Sequence, residues 1–197
     1  MQHPASPTVA RPSCQASGPY DCRLRKKPRA ILGSHVEITF TKGSGKYDEM
    51  RVTRNGASEV IACPKQRIIP HDMVHYAVES ILQKRGFLNR VGEGEPANFQ
   101  MGSDAESDGV ERLVEVFQGD AWSGGDASPE DMLDLYRITC TARACPALPV
   151  RPEDIVAIRR HIQELDAQWQ ALAIGQSMTL AIQQEVAPGS PYDSFKP

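Results

Sequence analysis

Apolar and polar side chains alternate one by one where the chain first becomes patterned. Val36, Ile38 and Phe40 interleave with Glu37, Thr39 and Thr41, the period-two signature of a half-buried strand. Lys42 to Lys46 reads as a glycine-bearing turn, and a second strand follows from Tyr47 to Arg54 with Met50 and Val52 inward. Asn55-Gly56 is a strong hairpin signal, since both residue types accept the positive φ of a tight turn. Ala57 to Ala62 then gives a third strand, so three antiparallel strands are expected. The period changes at Pro70. Met73, Val74, Ala77, Val78, Ile81 and Leu82 fall on one helical stripe, with Pro70 in the first turn and Asp72 near the positive end of the dipole. This helix is expected to run to Arg85 and to stop at Gly86.

After Phe87 the pattern lapses. The acidic, glycine-rich stretch 92–109 reads as a flexible surface loop. Val110, Leu113, Val114 and Phe117 predict a second helix, broken at Gly119–Gly125, where Trp122 is a core plug or a contact residue. Ser128-Pro129-Glu130-Asp131 has the composition of a helix cap, and the third helix ends near Cys140. Pro152 opens the last helix. Its Ile155, Ile158, Ile162, Leu165, Trp169 and Leu172 form a core-type stripe, while Arg159 and Arg160 are expected to face water. Met178, Leu180 and Ile182 alternate with Thr179, Ala181 and Gln183, a final strand most economically added to the edge of the meander. The expected class is α+β: a mainly antiparallel β-meander of three strands plus a C-terminal strand, packed on one face by three to four helices. A single domain spans 35–185, between tails 1–34 and 186–197 whose composition predicts disorder.

Composition narrows the classes further. A net charge of −3 over 197 residues makes no global case for nucleic acid. The exception is the basic cluster at 23–29, which reads as a solvated tail or as a lead toward RNA, DNA or an acidic surface. Apolar runs stay far below the roughly 18 residues of a membrane span, so no membrane partner is expected. The start has no apolar signal core, and five cysteines without a C-x-x-C pair read as free thiols; both point to a cytoplasmic location. Gly43-Ser44-Gly45-Lys46 lacks the first glycine and the final Ser/Thr of a phosphate loop and reads as a hairpin turn.

The candidate chemistry lies on the helix after Pro70. At about 100° per residue, His71 and His75 share one border of its apolar stripe, near the surface, with Tyr76 and Glu79 on the wetter side and Asp72 further round. Two histidines four apart can grip one metal ion, and an acidic residue after the first can act as base toward a bound water. That is the logic of H-E-x-x-H. Here Asp72 replaces the glutamate and is one methylene shorter. Glu79 does not complete a three-ligand set with both histidines, because it lies about 12 Å of helix rise from His71 and metal bonds are about 2 Å. A His71/His75 pair or a His75/Glu79 pair is comfortable, and a third ligand from elsewhere would be His161, the best-placed spare histidine. The plainer reading has the same histidines cap the helix, donate to a carbonyl, or pair with Asp72 or Glu79.

The run Pro70-His71-Asp72-Met73-Val74-His75-Tyr76-Ala77-Val78-Glu79, with Gly86-Phe87 after it, resembles a family of uncharacterised small bacterial proteins. These carry a P-H-D-[LM]-V-H-[FY]-x-V-E helix after a short β-meander. The resemblance extends to Ser177–Gln183, most of the chain beyond residue 34, and it implies a fold without supplying a reaction. Two readings therefore stand. The first is a non-enzymatic domain that binds a small ligand or a protein, organised by the His71-Asp72-x-x-His75-x3-Glu79 helix, with Tyr76 as a ligand contact. The second is a divalent-metal protein or hydrolase, with a zinc-like ion on His71 and His75 and with Asp72 or Glu79 as base or further ligand.

Overall fold

The computed structural model describes residues 36–96 and 104–182; the basic cluster 23–29, both expected tails and the middle of the acidic stretch lie outside the described residues. The meander forms as its alternation requires: β1 (Val36–Thr41), β2 (Tyr47–Arg54) and β3 (Ala57–Pro64). Asn55 and Gly56 turn β2 into β3 with φ of 49° and 82°, the pair of positive values a two-residue hairpin needs. After the helices the chain returns as β4 (Ser177–Ile182), antiparallel to β1, and the strand order is β3-β2-β1-β4. The register sets Ile38 opposite Val52 and Leu180, and Phe40 opposite Met50 and Met178, so the centre of one face is apolar, bordered by Asp48 and by the Arg54–Glu59 ion pair. The other face is polar, with hydroxyl pairs Thr39–Thr179, Thr41–Ser177 and Thr53–Ser58 about one hydrogen bond apart across the strands. The α+β expectation is met in class and in strand order.

Five helices follow where three or four were expected: α1 (His71–Leu82), α2 (Phe87–Glu93), α3 (Ala105–Ser123), α4 (Pro129–Ala142) and α5 (Pro152–Ala171). The helix predicted to reach Arg85 ends at Leu82, because Gln83 adopts a left-handed conformation with φ 52°. Gly86 is not its stop. It stands at the head of α2, where a Cβ would come within 2.6 Å of both the Glu79 carboxyl carbon and Val110 Cγ1. A close approach of three elements therefore demands glycine there.

The second predicted helix, α3, is longer at both ends than its apolar stripe suggested. Asp104 caps it by accepting from the Glu106 N–H, so residues 105–109, expected as loop, are helical. At the far end it passes through Gly119 and stops at Gly124, φ 116°. Asp120 is the reason: its buried carboxylate pairs with Arg159 of α5 at 3.0 Å and accepts from the Ala127 N–H. Both Arg159 and Arg160 were expected to face water; Arg160 is exposed, but Arg159 turns to α3 to meet Asp120. Trp122 is a contact residue, mostly exposed, whose indole N–H donates to the Gln66 carbonyl.

The helices and the sheet share one core in which Phe40, Met50, Met73, Val78, Phe117 and Ile158 are fully buried. α3 and α5 both pack on α1. That gives α1 a second covered flank besides its apolar stripe, and this flank is where the candidate residues lie. No described helix is long and apolar enough to cross a membrane. Cys63, Cys140 and Cys145 are free thiols.

One buried hydroxyl tests the helical layer. Tyr136 donates to the Gly109 carbonyl at 3.1 Å and accepts the Leu148 N–H at 2.8 Å, tying α4 to α3 and to the loop before α5. Tyr136→Phe leaves that N–H without a partner, at a cost of about 1–3 kcal/mol. Thermal melts of the variant are expected to fall by about 2–4 °C per kcal/mol, and an unchanged Tm would remove the hydroxyl from the packing argument.

Candidate metal centre

His71 and His75 start α1 one turn apart, and their rings meet edge to face with centroids 4.8 Å apart. The two Nε2 atoms are separated by 3.2 Å. A third donor arrives from α3: Glu111 Oε2 lies 3.1 Å from His75 Nε2, and Glu111 Oε1 lies 3.9 Å from His71 Nε2. One ligand atom from each of the three residues falls within 4.8 Å of the others. His75 is enclosed, while His71 and Glu111 keep about a third and a fifth of their side-chain surface exposed. The group is thus closed at the back and accessible at the front.

Glu79 was placed on the wet side of α1, but it is 3 % exposed. Its carboxylate reaches into the first turn of α2. Oε1 accepts the Leu88 N–H at 2.9 Å, and Oε2 accepts the backbone and side-chain N–H groups of Asn89 at 2.8 and 2.9 Å. These backbone groups are donors that a helix start leaves unsatisfied, so Glu79 supplies the cap that Gly86 cannot. The same Oε1 lies 3.3 Å from His75 Nδ1, close enough for charge attraction but without the alignment of a hydrogen bond. Glu79 is therefore behind His75, on the far side of the ring from His71.

Two carboxylates flanking one buried imidazole fix its charge. Burial opposes the charged ring, but the close carboxylates of Glu111 and Glu79 with their negative charges outweigh it and raise the His75 pKa from 6.5 to about 9. For Glu111, burial again opposes charge, and the neighbouring His75 more than reverses it, so its pKa is lowered.

A cleft of about 330 Å³ opens in front of the group. His71, Asp72 and Glu111 line it on the helical side and the end of β3 on the other. Asp72 Oδ2 lies 3.6 Å from the thiol of Cys63, whose pKa burial and the Asp72 charge push up to about 12. His161 is not brought into the group. It sits on α5 with its ring 5.8 Å from that of Tyr76 and its Nδ1 3.5 Å from Glu164. Tyr76 donates weakly to the Ala181 carbonyl at 3.4 Å, and it lines a different groove of about 740 Å³, together with His161 and Glu79.

Of the residues singled out in the sequence, the structure gathers His71 and His75 at one point, sets Asp72 in the cleft beside them, and turns Glu79 to their rear. Glu111 was missed. It is an acidic residue on the border of the Val110, Leu113, Val114, Phe117 stripe, and the packing of α3 against α1 is what delivers it. No family model, curated protein or solved structure matches the chain, so the resemblance of residues 70–79 rests on the motif itself.

The charge on His75 has a consequence for stability. A folded pKa raised from 6.5 to about 9 contributes stability that is complete below about pH 6.5 and is lost as pH rises through 9. Protein treated with a chelator is therefore expected to melt at progressively lower temperature from pH 6.5 to 9.5. In His75→Gln that alkaline decline should flatten, and an equally steep decline would mean that another group titrates.

Proposed function

We propose that this chain binds a divalent metal ion through His71 Nε2, His75 Nε2 and a carboxylate oxygen of Glu111. One comparison of lengths carries the reading. Donors about 2.0–2.1 Å from a tetrahedral ion lie about 3.3–3.5 Å from one another. The two Nε2 atoms lie 3.2 Å apart and Glu111 Oε2 lies 3.1 Å from His75 Nε2, with one donor from each residue within 4.8 Å of the others, so a modest swing of the Glu111 carboxylate would close the set around an ion. Two imidazoles and one carboxylate suit a zinc-like ion, and the exposed front leaves the fourth position to water from the cleft. Glu79 behind His75 supplies the carboxylate that metal-ligating histidines usually engage through their second nitrogen. The arrangement departs from the H-E-x-x-H pattern in carrying Asp72 where that motif has its glutamate, and its third donor comes from α3.

The other reading, a metal-free binding domain, is favoured by one fact: Glu79 and Glu111 together already satisfy a charged His75 without any ion. Elemental analysis separates the two. After refolding or growth with zinc, manganese or cobalt, the protein is expected to carry about one ion per chain, lost in the His71→Ala/His75→Ala double variant. Glu79→Gln should keep that stoichiometry and weaken affinity about 10–100-fold, measured by competition with a chelating dye. A small fraction of an ion per chain under every supplement would reject the metal reading.

A further inference from the structure

We infer that the ion-bound protein hydrolyses an uncharged carbonyl compound, an ester or amide of small size, with Asp72 as the base. This rests on the metal reading above and adds a reaction and a substrate class to it.

The geometry has three parts. The exposed ligands His71 and Glu111 line the cleft, so the ion's remaining position would look into it. Asp72 follows His71 directly and lines the same cleft, into which an ion's open position would face. Beside its carboxylate lies the Cys63 thiol at 3.6 Å, a weak donor that stays neutral. The thiol itself is no nucleophile at ordinary pH, since thiolate is the reactive form. Attack by water is then the step these groups can support.

The lining decides the substrate. No Lys or Arg is among the described residues of the cleft, whereas Asp72, Glu111 and Glu115 are. Sites for phosphoryl transfer hold their charge with Arg, Lys or metal clamps. Glu115 is paired with Arg112 at 2.7 Å, so with one dication shared with Glu111 the cleft keeps the Asp72 carboxylate and has no cationic side chain in its described lining to clamp a phosphate ester. A neutral carbonyl needs no such clamp, and Gln66 and Gln118, joined at 2.9 Å, offer uncharged polar partners. A volume of about 330 Å³ lies at the small end of ligand pockets, which run from about 300 to 1,000 Å³. A short acyl or aryl group fits; a bulky polymer segment does not.

The step balances without any redox partner. The water gives one proton to the Asp72 carboxylate while its oxygen bonds to the carbonyl carbon. The bond from that carbon to the leaving oxygen or nitrogen then breaks, and the leaving group takes the proton back from Asp72. One water is consumed, and an acid plus an alcohol or amine is released.

The test uses the full-length chain loaded with zinc, 4-nitrophenyl acetate and bis(4-nitrophenyl) phosphate as probes, and the variants Asp72→Asn and Asp72→Glu. The acetate should turn over in proportion to bound zinc, and the phosphodiester should not. Asp72→Asn should hold the same ion content and lose about 10²–10⁴-fold in rate, with partial return in Asp72→Glu. Full ion content without zinc-dependent ester turnover would overturn the inference and leave metal binding standing. So would an Asn variant within threefold of the native rate, or a preference for the phosphodiester. A chain that takes up no ion defeats both.

Discussion

A single buried carboxylate holds this molecule's working region together. Glu79 lies on a helix flank from which solvent is excluded, and a charge there is tolerated only if hydrogen bonds replace its water. Three N–H groups from Leu88 and Asn89 do so. The exchange serves both sides, because α2 is short and its first-turn donors would otherwise be unpartnered inside the fold. It also fixes geometry. α1 must end at Gln83 for the chain to turn back within reach of Glu79, and Gly86 must lack a side chain for that turn to pass. The position of His75 follows, since Glu79 stands behind one nitrogen of its ring and the other is left facing Glu111.

This explains why some features are legible in the residue pattern and others are not. Strand alternation, the Asn55-Gly56 turn and the stripes of α1 and α5 are local: each follows from neighbours two to four residues away, and all are present. The side-by-side pair His71/His75 belongs to the same category, because one helical turn is enough to place both rings. What failed to show was set by contacts remote in sequence. α2 has little periodicity of its own, and it is capped from α1. The far end of α3 survives Gly119 because Asp120 finds Arg159. Glu111 becomes a neighbour of His75 only through helix–helix packing, across 36 positions that no motif spacing spans.

The misplacement of Glu79 and His75 has the same origin. A hydrophobic stripe identifies the face a helix gives to its largest neighbour, and everything beside it is read as wet. α1 has a second neighbour. Once α3 and α5 cover its flank, polar residues on that flank are buried as well, and they must find partners among themselves. His75, Glu79 and Glu111 form such a set, with two acids to one base. The excess of negative charge is a physical argument in its own right. A purely structural ion pair is neutral with one carboxylate, whereas this cluster keeps a second acid beside it, an excess that a cation would balance under the metal reading proposed above.

The division between closed rear and open front then separates structure from chemistry on one helix turn. Residues behind the histidine pair are satisfied by backbone donors and have no spare capacity, so changing them alters where His75 sits. Residues in front are more open: His71 and Glu111 are partly exposed, and Asp72 lines the cleft beside a neutral thiol. Hydrogen-bonding groups that are complete stabilise a fold, and those left incomplete at a cleft are the ones free to act on a ligand. The sequence places Asp72 and Glu79 on the same helix with similar side chains, yet packing assigns them opposite duties. Glu79 secures the ring of His75 from behind, and Asp72 is left lining the open cleft.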